Sequence, residues 1–89
     1  MNKEEQAREM IKHILIKIVE NAKELGTYSN NNIMECCEKM TDEQWQRITS
    51  SEPSLRQVFI EILKNTKGVY LHLLALMNKK FSEEVKETA

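Results

Sequence analysis

Few side chains in this sequence are equipped for chemistry. The thiols are the neighbours Cys36 and Cys37, and the imidazoles are His13 and His72. These four are the only soft metal donors in the chain. A structural zinc site normally brings its ligands in spaced pairs, such as Cys-x2-Cys with a second pair downstream, and Cys-Cys does not have that spacing. Neighbouring residues on a helix point about 100° apart, so a bridge between them would distort the backbone. The expectation is two free thiols packed as small, semi-buried hydrophobes. A redox role has no support, since nothing in the pattern predicts a lowered thiol pKa. His72 reads as a residue at the edge of the core with one ring nitrogen hydrogen-bonded; the sharper alternative is a buried pH switch. His13 falls with Lys17 on a polar helix face and reads as solvated.

No enzyme signature accompanies these groups. There is no glycine-rich phosphate loop, no Gly-x-Ser-x-Gly, no His-Glu-x-x-His, and no pair of carboxylates in an apolar setting. Glu4, Glu5, Glu83 and Glu84 read as solvated surface. The expectation is a protein without catalytic site, cofactor or metal.

The elements that must position any site are helical. Val69 to Met77 is the densest stretch, with eight apolar residues of nine and His72 as the interruption. On a helix such a run is apolar almost all round. It is too short for a bilayer, which needs roughly 20 apolar residues. It should therefore be wrapped by the rest of the chain or by a partner. Upstream, Ala7, Ile11, Ile14, Leu15, Ile18, Ala22 and Leu25 recur every three or four residues, predicting one amphipathic helix over 3–25. Gly26 would end it. Thr27 to Asn32 reads as the main loop, with one of Asn30 to Asn32 capping a short helix that buries Ile33, Cys36, Cys37 and Met40.

The best-signed boundary is Thr41-Asp42-Glu43-Gln44, a capping box, with Met40 and Trp45 placed for a hydrophobic staple. A third helix should run from Asp42 to Ile48. After Ser51-Glu52-Pro53, a fourth should run from Pro53 to Asn65, burying Leu55, Val58, Phe59, Ile62 and Leu63. Gly68 marks a turn. A last helix should span Val69 to at least Lys80, with Tyr70, Leu74, Met77, Phe81 and Val85 as its seam. No segment alternates with period two, so no sheet is expected. The fold class is all-α: a single domain over 1–89, a compact bundle of about five helices, the long first and last ones adjacent and the shorter ones packed across them.

Charge narrows the partners. Thirteen basic residues against fourteen acidic ones give a net charge of −1, which argues against a broad nucleic-acid footprint. A helix-turn-helix would have to be the third and fourth helices across Thr49 to Pro53. Its second helix would offer only Arg56, Gln57 and Lys64, with Glu52 near its start repelling phosphate. The N-terminal Met-Asn-Lys-Glu-Glu-Gln shows no secretory signal. With unpaired thiols, this predicts a whole small protein of the reducing cytoplasm, not of a membrane.

Ile16 and Ile60 lie off the main apolar stripes of their helices, either as part of a broad buried face or as a second contact face. Two further fragments are similar to a known family. They are Met1-Asn2-Lys3 with Arg8-Glu9-Met10-Ile11 and Leu15-Ile16-Lys17, and Gly68-Val69-Tyr70 with Leu73, Asn78 and Lys79. They resemble the small anti-sigma factor of T4-type phages, a helical protein whose first helix docks on the bacterial sigma factor and also serves in dimerisation. That resemblance would make Ile11, Ile14, Ile18 and Ile16 contact residues. It needs gaps inside a helix and leaves Lys80 to Ala89 unmatched, so it stands as one form a protein-binding regulator could take. The functional expectation is a non-enzymatic regulatory module binding a protein partner, or itself as a homodimer, through apolar helix faces. Ile11, Ile14, Ile16 and Ile18 are its expected anchors, and the last helix is expected in the core. The alternative is a small helical DNA-binding or transcription-associated regulator.

Overall fold

A computed structural model describes residues 2–25, 32–65 and 68–88. They form five helices: α1 (Lys3–Glu20), α2 (Ile33–Lys39), α3 (Asp42–Thr49), α4 (Ser54–Lys64) and α5 (Val69–Thr88). The all-α reading holds, with the long helices at the two ends of the chain. Gly26 and the expected loop lie, apart from Asn32, outside the described residues.

Each boundary has a local cause. Asn2 caps α1, its side-chain oxygen accepting from the Glu5 N–H at 2.8 Å. The first helix is shorter than its apolar stripe: it stops at Glu20, and Ala22 and Leu25 reach the core from the turns that follow. The side-chain amide of Asn21 donates to the Lys17 carbonyl at 2.8 Å, satisfying one of the carbonyls a helix end leaves open. Asn65 does the same for Glu61 at the end of α4. At α3 the capping box is complete. The Thr41 hydroxyl accepts from the Gln44 N–H at 3.1 Å, and the Gln44 side chain accepts from the Thr41 N–H at 3.0 Å. Ser50 closes the helix in the left-handed region at φ 59°.

The two long helices run side by side in the same direction. Tyr70, early in α5, places its hydroxyl 3.4 Å from the Glu4 carbonyl early in α1. Further along, one cleft is lined by Lys12 and Met77, and the next by Glu20 and Lys80. Parallel neighbours cannot be joined by a short turn, and α2 to α4 occupy the return path. Of these, α3 packs on α1, while α2 bridges α1, α4 and α5.

The core centres on Leu15, Ile18, Trp45 and Phe81, all with no exposed surface. Trp45 ties α3 down twice. Its indole N–H donates to the Glu52 carbonyl at 2.9 Å, and its ring meets Phe59 at 5.5 Å between centroids. Thr49, the buried polar residue of this region, donates to the Trp45 carbonyl at 2.6 Å and accepts from the Ser51 N–H. One polar tie spans the fold. The Ile33 N–H at the start of α2 donates to Asn78 Oδ1 on α5 at 2.9 Å, while Asn32 takes the next two amides.

Two burial assignments differ from the pattern. In α4, Leu55 and Val58 are 40% and 53% exposed, and the inward face is Phe59, Ile60 and Leu63. The apolar residues of α4 cover a wide arc, and docking on α2 and Trp45 selects its Ile60 side. In α5, the apolar run is not wrapped on all sides from Tyr70 to Met77. Leu71 and Leu76 stand 58% and 45% exposed, and His72 is exposed too. The seam through Leu74, Met77, Phe81 and Val85 is buried as expected, with Tyr70 half-buried. α1 and α2, the elements that pack on it, can cover only one side of a 20-residue helix.

Candidate functional site

The chemistry-bearing residues do not converge. Cys36 and Cys37 are free and fully buried in α2. Burial pushes the Cys36 thiol up to about 12. Cys37 is raised further, first by burial and then by the neighbouring Cys36 and Glu38, against a lowering pull from Arg56. Both therefore stay protonated at neutral pH, which disfavours nucleophilic or metal-binding thiolate. His13 and His72 are exposed, on α1 and α5. Among the described residues no three metal-donor side chains cluster.

The four isoleucines of the expected contact face divide. Ile11, Ile14 and Ile18 have 1%, 4% and 0% of their surface exposed. They are occupied by the chain's own helices, and a partner could reach them only by opening the bundle. Their spacing made them an apolar stripe, but a stripe does not say whether its cover comes from inside or outside the chain. Ile16 is half-buried against the core and keeps part of its side chain at the surface.

Ile16 leads to a concavity between α1 and α5. Its wider lobe has a volume of about 740 Å³, with Leu73, Leu76 and Met77 of α5 as its apolar floor. Arg8 and Lys12 stand on the α1 wall with Glu9, and Lys80 stands on the α5 wall. His72 and Gly68 close one end. A narrower lobe of about 130 Å³ continues past Met77 and Lys80 to Ile16, Val19 and Glu20. From Arg8 to Glu20 the α1 wall covers thirteen residues, about 18 Å or a little over three turns.

The reason α5 presents this groove is its composition. A helix apolar on nearly every side buries the seam nearest its neighbours and leaves the remainder in water. Gly68 starts it at φ 64°, in the left-handed region, and its carbonyl accepts from the Leu71 N–H. The outward Leu76 was legible as apolar; its place beside α1 was not.

A second apolar surface lies on α4, where Val58 and Ile62 line a shallower hollow of about 400 Å³ with Gln57, Glu61 and Asn65. Its polar groups are already engaged with each other: Gln57 Nε2 donates to Glu61 at 3.2 Å, and Asn65 Nδ2 to the Glu61 carbonyl. The α1/α5 groove differs in carrying charges that no ion pair of the described residues uses. Arg8, Lys12 and Lys80 take no part in the pairs of Arg47 with Glu24 and Arg56 with Asp42.

Comparison with protein-family models, with curated proteins and with solved structures finds no match to this chain.

Proposed function

We propose that this protein is a non-enzymatic binding module that seats an amphipathic helix of a partner protein in the groove between α1 and α5. The observation that carries the reading is an apolar floor on which Leu76 is 45% exposed and Leu73 half-buried, with the buried Met77 beneath, bordered by charged residues. Helix-in-groove recognition uses such a surface: apolar side chains every three or four residues enter the groove, and polar ones remain at the rim. The groove runs a little over three turns along α1, long enough for the i, i+3, i+4 and i+7 positions of one incoming helix. Of the expected anchors, Ile16 keeps its place in this surface, at the far lobe.

The nucleic-acid alternative finds less to stand on. Arg56, the strongest phosphate-binding candidate of α4, donates from its guanidinium to Asp42 at 2.9 Å, and Gln57 is bonded to Glu61.

The test is Leu76→Glu, which places a carboxylate on the groove floor at an exposed position. Wild-type and variant protein are used to capture proteins from lysate of the source organism at moderate and high salt, and both are sized by sedimentation. The expected result is a protein retained at high salt by the wild type and lost with the variant, at equal helicity and melting temperature. Identical captured sets would overturn the groove reading. A wild type that sediments as a dimer, and a variant that is monomeric, would show a second copy filling the groove instead of a partner.

A further inference from the structure

We infer that the helix this groove takes is acidic: its apolar ridge is flanked by carboxylates, at least two of them one turn apart. This inference rests on the groove reading above and names the chemistry of its occupant. The wider lobe is lined by Arg8, Lys12 and Lys80 against the single carboxylate of Glu9, three positive charges to one negative. Glu20 of the narrower lobe adds a second carboxylate, so the whole groove stands at three positive charges to two negative, a small positive excess in a chain of net charge −1. The pairs of Arg47 with Glu24 and Arg56 with Asp42 leave all three of these cations out.

Their placement is directional. Arg8 and Lys12 are four residues apart on α1, so their side chains leave the same wall about 6 Å apart along the helix axis. Lys80 belongs to the facing helix, one turn beyond Leu76 on the same side of α5, and also borders the narrower lobe with Glu20. A ridge of apolar side chains entering the floor carries its flanking positions past both walls. Carboxylates at i and i+4 on one flank would face Arg8 and Lys12, and one on the other flank would face Lys80. Charge complementarity of this kind sets orientation and rejects partners of the wrong sign more than it raises bare affinity. A nucleic-acid backbone would use the three cations but gain nothing from an apolar floor, whereas an acidic amphipathic helix uses both.

The experiment is a selection from a displayed library of helical 16-residue peptides. Apolar residues vary at the i, i+3, i+4 and i+7 positions, and each flanking position is drawn from Glu, Gln and Lys. The full-length wild type, the Lys12→Glu/Lys80→Glu double variant and Leu76→Glu serve as baits. Lys12 and Lys80 are exposed, so the double variant should fold as the wild type does. The expected result is enrichment of Glu at flanking positions on the wild type and of Lys on the double variant. Anisotropy should show the best acidic peptide binding the double variant at least about fivefold more weakly than the wild type, a margin typical of a few rim charges. No charge bias, or a bias to Lys on the wild type, would overturn the acidic occupant. Loss of all selected binding with Leu76→Glu would then still support the groove. Equal enrichment on wild type and Leu76→Glu, or no enrichment on any bait, would overturn the groove and the acidic occupant together.

Discussion

The two long helices lie side by side, yet they meet the solvent differently. α1 hides Ile11, Ile14, Leu15, Ile18 and Val19, and its outer face is charged apart from one apolar residue, Met10, 46% exposed. α5 buries a similar seam but leaves Leu71 and Leu76 about half in water. The difference lies in what covers each helix. α1 is packed by α5, α3 and α2, whereas α5 is packed by α1 and α2. A helix with fewer neighbours than apolar faces leaves one face in water, and it is this face that the docking proposal uses.

The comparison breaks most readily at matched positions. Ile18→Ala, at the fully buried centre of α1, should cost roughly 2–5 kcal/mol in chemical denaturation. Leu76→Ala on the outer face of α5 should stay within about 0.5 kcal/mol, as surface changes do. Similar losses at both positions would mean that α5 is covered on its Leu76 side and that no groove exists.

A smaller effect sharpens the inner side of α5. Asn78→Ala leaves the Ile33 N–H without its acceptor, so stability should fall by about 1–3 kcal/mol, with amide exchange fastest in α2. No change in α2 exchange would show that water replaces Asn78 and that the tie to α5 is dispensable.

The smallest effect is local. Ser50 ends α3 with a positive φ that costs a non-glycine residue about 1–2 kcal/mol, part of which glycine's greater unfolded-state freedom cancels. Ser50→Gly should therefore stabilise by about 0.5–1 kcal/mol, read as a small rise in denaturation midpoint. A loss would mean that the serine side chain makes a contribution the backbone geometry does not reveal.

Helix boundaries are legible at the starts of α2 and α3, where a cap is written in the sequence, but not in the Asn2 cap or the Asn21 stop of α1. The capping box at Thr41 and Gln44 and the cap at Asn32 involve residues two or three apart, so their pattern is written in consecutive positions. The first helix was overextended to Leu25 because Ala22 and Leu25 continue the apolar spacing, although they reach the core from turns. The candidate site was legible only in part. Ile16 stood out as off the main stripe, and Leu73, Leu76 and Met77 as members of an apolar run. Arg8, Lys12 and Lys80 had no signal, because a cation on a polar face looks the same whether it borders water or a groove.

The sequence by itself determined the helical class, the order of long and short helices, the caps and the seam of α5, since each follows from periodicity or from contacts within one turn. Only the tertiary structure decided which of two overlapping stripes α4 turns inward, which apolar residues of α5 remain outside, and that Asn78 completes the start of α2 from 45 residues away. Those choices depend on how many neighbours a helix finds and from which side. Hydrophobic burial is not directional, so an apolar stripe demands a cover without naming the element that supplies it.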